Sequence, residues 1–213
     1  MKGKLKTGKE GKQLRNSLVV FQFSASIILI VSTIIVFQQL RFLSSKDVGF
    51  NRENLLVIDR LEWVNDKETL LNSLTDIPGV EMASWCSSVP PNLYDGDIFQ
   101  AEDSNEKSFE LNYIKADETF APTLNLQIRI GRNFSKDVPS DISGVLLNET
   151  AVKELGWTMD ESVLGKKIYY PGDDRKFEVI GVVKDFDYWA LQAPIEPMAL
   201  FNMKSPLFSN YRQ

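Results

Sequence analysis

The side chains best suited to chemistry in this sequence are few and scattered. Two carboxylate pairs stand out, Asp173-Asp174 and Asp185/Asp187, together with a single cysteine, Cys86, and no histidine. Asp185 and Asp187 lie in KDFDYW, directly after the apolar run VIGVV. If that strand continued, acids two positions apart would face the same side and could divide acid and base roles. No convergent polar partner accompanies them in the sequence, as a catalytic reading would need. The other pair sits in PGDDR, whose Pro-Gly and Asp are turn chemistry and read as a hairpin tip. Without histidine the chain lacks the commonest general base, the commonest metal ligand, and the Ser-His and Cys-His nucleophile pairs. The sequence therefore predicts no catalytic residue, no metal site and no cofactor.

Two motif matches dissolve on inspection. Gly3-Lys4-Leu5-Lys6-Thr7-Gly8-Lys9 nearly fits a phosphate-cradling loop, but Glu10 stands where a hydroxyl must meet magnesium, and no strand precedes it. It reads as a basic flank. Asn133-Phe134-Ser135 and Asn148-Glu149-Thr150 match the glycosylation pattern and read as coincidence. Cys86 is alone, so no internal disulfide can form.

The element with the strongest signal is apolar. Ser17–Leu40 runs for 24 residues without a formal charge. At about 1.5 Å per residue this exceeds a hydrocarbon core of about 30 Å. A secretory signal has a shorter apolar region and a small-residue cleavage site beyond it, whereas Ser24-Ala25-Ser26 lies inside the run. The run predicts an uncleaved membrane helix. Before it, residues 1–15 carry six cations against Glu10, a net +5, which leaves −10 for the rest of a chain of net −5. Such a flank places the N-terminus in the cytoplasm and the bulk of the chain outside it. The acidic exterior part lacks the basic footprint of a nucleic-acid binder. At about 100° per residue, Gln22, Ser26 and Thr33 fall within roughly 40° of one another, a polar stripe suited to packing against other membrane helices.

Beyond the anchor the helix is expected to run on as a stalk to Gly49, a C′ residue, and Phe50-Asn51-Arg52 turns off it. Leu55–Arg60 and Val80–Val89 read as strands around a helix that Asp66 caps and Pro78-Gly79 ends, a β-α-β opening. Further strands are expected near Ile98–Ala101, Ser108–Ala116, Val145–Leu147 and Met198–Phe201, with a hairpin formed by Lys166–Tyr170 and Lys176–Lys184. Glu118–Leu124 reads as a short helix, SKDVPSDIS as a polar linker, and Asn148 as the N-cap of ETAVKEL, which Gly156 ends. Separate helices and hairpins indicate an α+β fold: one N-terminal transmembrane helix with a stalk, then a mixed α+β domain. The organisation expected is a basic flank over 1–16, helix and stalk over 17–48, and the folded domain over 49–213.

The run LRNSLVVFQFSASIILIVSTIIVFQQLRFLSSKDVGFNRENLLVI, followed in order by IGRNFS, LLNETAVKELGW, LGKKI and VIGVVKDFDY, resembles FtsX/MacB-type ABC transporter permeases, especially those of Bacteroidota. The resemblance covers nearly the whole chain. Asp187 departs from it, since relatives often carry His there. It implies a MacB-like periplasmic core domain, cut short at its C-terminal end, in the bacterial inner membrane. It also implies a cytoplasmic ABC ATPase, the remaining permease helices, and a periplasmic substrate or protein as partners, with ATP-driven helix motion relayed through the stalk. A cut sheet would expose a strand edge and leave Met198–Gln213 labile. The competing reading is a single-anchor extracytoplasmic sensor.

Overall fold

The computed structural model describes residues 9–59, 61, 63–90, 95–102, 108–172, 175–189 and 193–205. The chain divides into two compact units, residues 1–47 and 48–213. The first contains α1 (Lys9–Ser45), 37 residues long. Its Gly11–Leu43 portion is long and apolar enough to cross a membrane, and none of its most apolar window is buried by protein.

The second unit is a mixed α+β domain. Its strands are β1 (Gly96–Ala101), β2 (Ser108–Ala116), β3 (Ile128–Gly131), β4 (Gly144–Asn148), β5 (Lys167–Tyr169), β6 (Lys176–Val183) and β7 (Met198–Asn202). Three helices accompany them: α2 (Lys67–Thr75), α3 (Phe120–Thr123) and α4 (Glu149–Glu154). Two 3-10 turns, Pro139–Ser143 and Glu161–Val163, complete the set. The strands pair in the order β6-β4-β7-β2-β1-β5, and β5 pairs back onto β6, so the sheet closes into a ring. β3 pairs with the far half of β6, beyond the segment that β5 occupies. The pairs β2–β7 and β4–β6 are parallel, and the others are antiparallel.

Alternation along the strands divides the core in two. Val145 and Leu147 of β4, with Ala199 and Phe201 of β7, join Phe99, Leu111, Ile168, Phe177 and Val179. Leu146, Met198 and Leu200 point into a second cluster with Ile114, Phe120, Leu124 and Phe186. β4 and β7 are thus covered on both faces, which is why VLL and MALF are apolar throughout rather than alternating. Phe201 anchors the first cluster, stacked on Phe99 at 5.6 Å and edge-on to Phe177 at 5.0 Å.

Several expectations fail here for identifiable reasons. The β-α-β opening does not form: among described residues, neither 55–59 nor 80–89 is a strand, and Cys86 alone makes a bridge, to Ala116. Leu56 of the first segment remains 83% exposed, so strand composition there buries no apolar face. The helix between them is α2, capped as expected by Asp66, which accepts from the Thr69 N–H at 2.9 Å. α1 ends at Ser45, so Gly49 is not its C′ residue. β7 is no exposed edge, since it pairs with β2 on one side and β4 on the other and Met198–Phe201 are buried. The rest of the segment expected to be labile, from residue 206 on, lies outside the described residues, as do Asp173 and Asp174.

Candidate functional site

The residues that open the domain are built into its core. The Val48 carbonyl accepts from the Asp187 N–H at 2.8 Å, and the Asn51 N–H donates to the Leu124 carbonyl at 2.8 Å. Between these bonds the Phe50 ring meets Phe186 edge-on at 6.2 Å, and Phe186 is 1% exposed. Gly49 sits at φ +80°, where an ideal Cβ would lie 2.9 Å from the Asp185 carbonyl oxygen and from the Phe186 Cα. Only glycine lets the two backbones approach so closely. The Asn51 side chain accepts the Glu53 N–H at 2.9 Å, closing the turn. The lead-in segment Val48–Asn51 is therefore clamped to the loop after β6 and to the end of α3.

That loop carries Asp185 and Asp187, and both are tied into the fold. β6 ends at Val183, so Asp185 and Asp187 do not share a strand face. The Asp185 carboxylate accepts from the Thr150 N–H at 2.9 Å and the Thr150 hydroxyl at 2.8 Å, holding the first turn of α4. The Asp185 N–H donates to the Glu149 carboxylate at 3.2 Å. Asp187 is buried and fastens the lead-in through its backbone. Tyr188 follows, its hydroxyl accepting from the Asn112 amide at 3.2 Å, and burial pushes its phenol well above the usual range.

Two further polar fixtures hold the frame. Asn148 is fully buried. Its Oδ1 accepts from the Ala151 N–H at 2.8 Å and the Met198 N–H at 3.0 Å, while its amide donates to the Glu196 carbonyl at 2.9 Å. One side chain thus caps α4 and fixes the start of β7. Arg132 grips Asp141 with two nitrogens, at 2.6 and 2.7 Å, and the Ser135 N–H adds a third bond at 2.8 Å. Asp141 is 1% exposed, and the Arg132 guanidinium holds its carboxyl below the usual range. By composition this segment is expected to be a polar linker. Its signal was an acid beside Pro139-Ser140, nine positions after Arg132, and no local pattern links the two.

Among the described residues, no group of three or more His, Cys, Asp or Glu could hold a metal. Burial pushes the Cys86 thiol up to about 12, well above the usual thiol range. Of the three cations lining a polar cleft with Ser140, Ser143 and Glu178, Arg132 holds Asp141 and Lys176 holds Glu102 at 2.7 Å, and the third is Lys167. On α1, Gln22, Ser26 and Thr33 are exposed, and the two hydroxyls donate to backbone carbonyls four residues back, at 2.9 and 2.8 Å. This is how Ser and Thr satisfy themselves in a helix.

Three solved structures are similar at low identity. The first is a domain, assigned as a permease, from Porphyromonas gingivalis (22% identity, TM-score 0.47), covering 63% of this chain and 56% of that one. The second is the periplasmic region of MacB from Actinobacillus actinomycetemcomitans (24%, 0.44), covering 64% and 55%. The third is the extracellular domain of the noncanonic ABC-type transporter YknZ from Gram-positive bacteria (15%, 0.43), covering 64% and 62%. The chain thus spans less than two thirds of each of these structures. Comparison with curated proteins gave no match. The family model of the MacB-like periplasmic core domain matches residues 19–203, nearly all of the apolar helix and the folded domain together. The chain belongs to the MacB-like periplasmic core domain family.

Proposed function

We propose that this chain supplies a membrane helix and the periplasmic domain of an ABC permease in the bacterial inner membrane, with its N-terminus in the cytoplasm. The segments are a basic flank over 1–16, helix and stalk over 17–48, and the periplasmic domain from 49 on. A cytoplasmic ATPase drives helix motion, and the domain receives that motion while engaging an export substrate or a periplasmic protein. Gln22, Ser26 and Thr33 face neighbouring permease helices, with the Gln22 amide bonding across the gap.

The observation that carries the relay is the clamp on Val48–Asn51. A displacement at Val48 reaches the Phe186 loop and the end of α3 through two backbone hydrogen bonds and a buried ring contact. A flexible linker would dissipate it. The test is hydrogen exchange on the membrane-reconstituted transporter with its ATPase, with and without ATP. The amides of Asn51 and Asp187 are expected to change protection on ATP binding. Unchanged exchange throughout residues 48–205 would refute the relay.

A further inference from the structure

We propose that residues 64–87 form an arm that opens from the domain as one unit, and that the Asp117 carboxylate is the catch that holds it closed. The arm consists of α2 and the extended stretches flanking it. α2 buries none of its residues, and Ile77 and Met82 are about half exposed. An element with so little buried apolar surface opens at a lower free energy than the whole domain.

Its attachment is concentrated at one place. Asp117 follows β2, and its Oδ2 accepts from the Trp85 N–H at 2.6 Å, while its own N–H donates to the Trp85 carbonyl at 3.1 Å. The Ser87 N–H donates to the Lys115 carbonyl at 2.8 Å, and the Ser87 hydroxyl accepts from the Lys115 N–H at 3.0 Å. Toward the body, Asp117 Oδ1 accepts from the Thr119 N–H at 3.1 Å. The Thr119 hydroxyl lies 2.7 Å from Oδ1 and 2.9 Å from the Ala83 carbonyl. It has one proton and serves one acceptor at a time. Among the described residues, the one polar link from elsewhere on the arm is Glu68 to Lys136 at 3.8 Å, and Lys136 is closer to Glu118, at 3.1 Å. Within the arm, the Lys67 ammonium lies 4.7 Å over the Trp85 ring and couples α2 to the held strap.

Both Asp117 oxygens accept from backbone N–H groups, one in the arm and one in the body. Asp117→Asn must therefore turn an NH₂ toward one of them, which removes a bond and adds a repulsion. The experiment is hydrogen exchange on the full chain in lipid nanodiscs. With Asp117→Asn, exchange across 67–87 is expected to rise at least about tenfold, the equivalent of one charge-assisted hydrogen bond, with β4, β6 and β7 unchanged. Thr119→Val keeps the carboxylate and is expected to give the same pattern at about threefold, consistent with a weaker, shared bond. Wild-type exchange over 67–87 in Asp117→Asn would overturn the proposal. So would an equal rise in β4 and β7, which would make the pair a support of the whole fold rather than a catch.

Discussion

Replacing Asn148 by alanine tests how far one side chain holds the frame. The substitution strips the acceptor from the Ala151 and Met198 N–H groups and the donor from the Glu196 carbonyl, at a side chain with no solvent exposure. Each buried group left unpaired costs about 1–3 kcal/mol, and loss of the cap to α4 is already counted in the first of them. Allowing for water reaching the Glu196 carbonyl, the loss should be about 3–5 kcal/mol. For a domain of this size that is a fall in Tm of roughly 6–20 °C. Asn148→Asp keeps both acceptor bonds and sets a carboxylate oxygen against the Glu196 carbonyl. It should be destabilised at neutral pH and recover as the acid is protonated, because a protonated carboxyl can donate there. Urea unfolding of the full chain in detergent, followed by tryptophan fluorescence at pH 7.5 and pH 4.5, measures both. A loss below about 1 kcal/mol for Asn148→Ala, under the usual cost of a cap alone, would refute the shared-hub reasoning.

Further outcomes follow from other sites. Arg132 lowers the Asp141 pKa below its unfolded value, so the stability this pair adds is present above the ordinary carboxylate range and lost as pH falls through the folded pKa. Acid titration of unfolding should therefore show a drop below about pH 4 that Asp141→Asn flattens, and an unaltered slope would argue against the pair. Gly181→Ala sets a Cβ 2.5 Å from the Arg132 carbonyl oxygen, opposite Gly131 in the β3–β6 register, and should cost about 2 kcal/mol or more in thermal unfolding. A cysteine replacing exposed Glu161 should react with a membrane-impermeant maleimide in intact spheroplasts. Labelling of that position only after lysis would reverse the proposed orientation.

What the sequence disclosed depended on how local its cause was. α1, the Asp66 and Asn148 caps and the β5–β6 hairpin each rest on residues within a few positions of one another, and each formed as expected. The α+β class was legible for the same reason. LLVIDR has strand composition, but a strand needs a neighbour, and ring closure is decided by β5 meeting β1 across some 67 positions, from Ala101 to Ile168. The lead-in clamp is half legible: GFNREN and KDFDY both stand out as signatures, yet nothing in either says that Phe50 lies on Phe186. Asp185 looked like half of an acid pair because its partner, Thr150, lies 35 positions away.

The closed ring also sets an order of events. Without β7 the ring strands would line up as β4-β6-β5-β1-β2, with β3 still on β6, and β4 and β2 would each lose a neighbour. β7 is the latest described strand to be synthesised, and it slots between those edges as a keystone. A nascent chain emerging N-terminus first must therefore wait, with two apolar, hydrogen-bond-hungry borders showing, until Met198–Asn202 arrives. Such a long-range final step is slow, and exposed borders of this kind recruit other chains. In the proposed topology the domain crosses a bilayer before Met198–Asn202 can close the ring, so it is most vulnerable to aggregation and proteases in that interval, and there a folding helper would have its greatest effect.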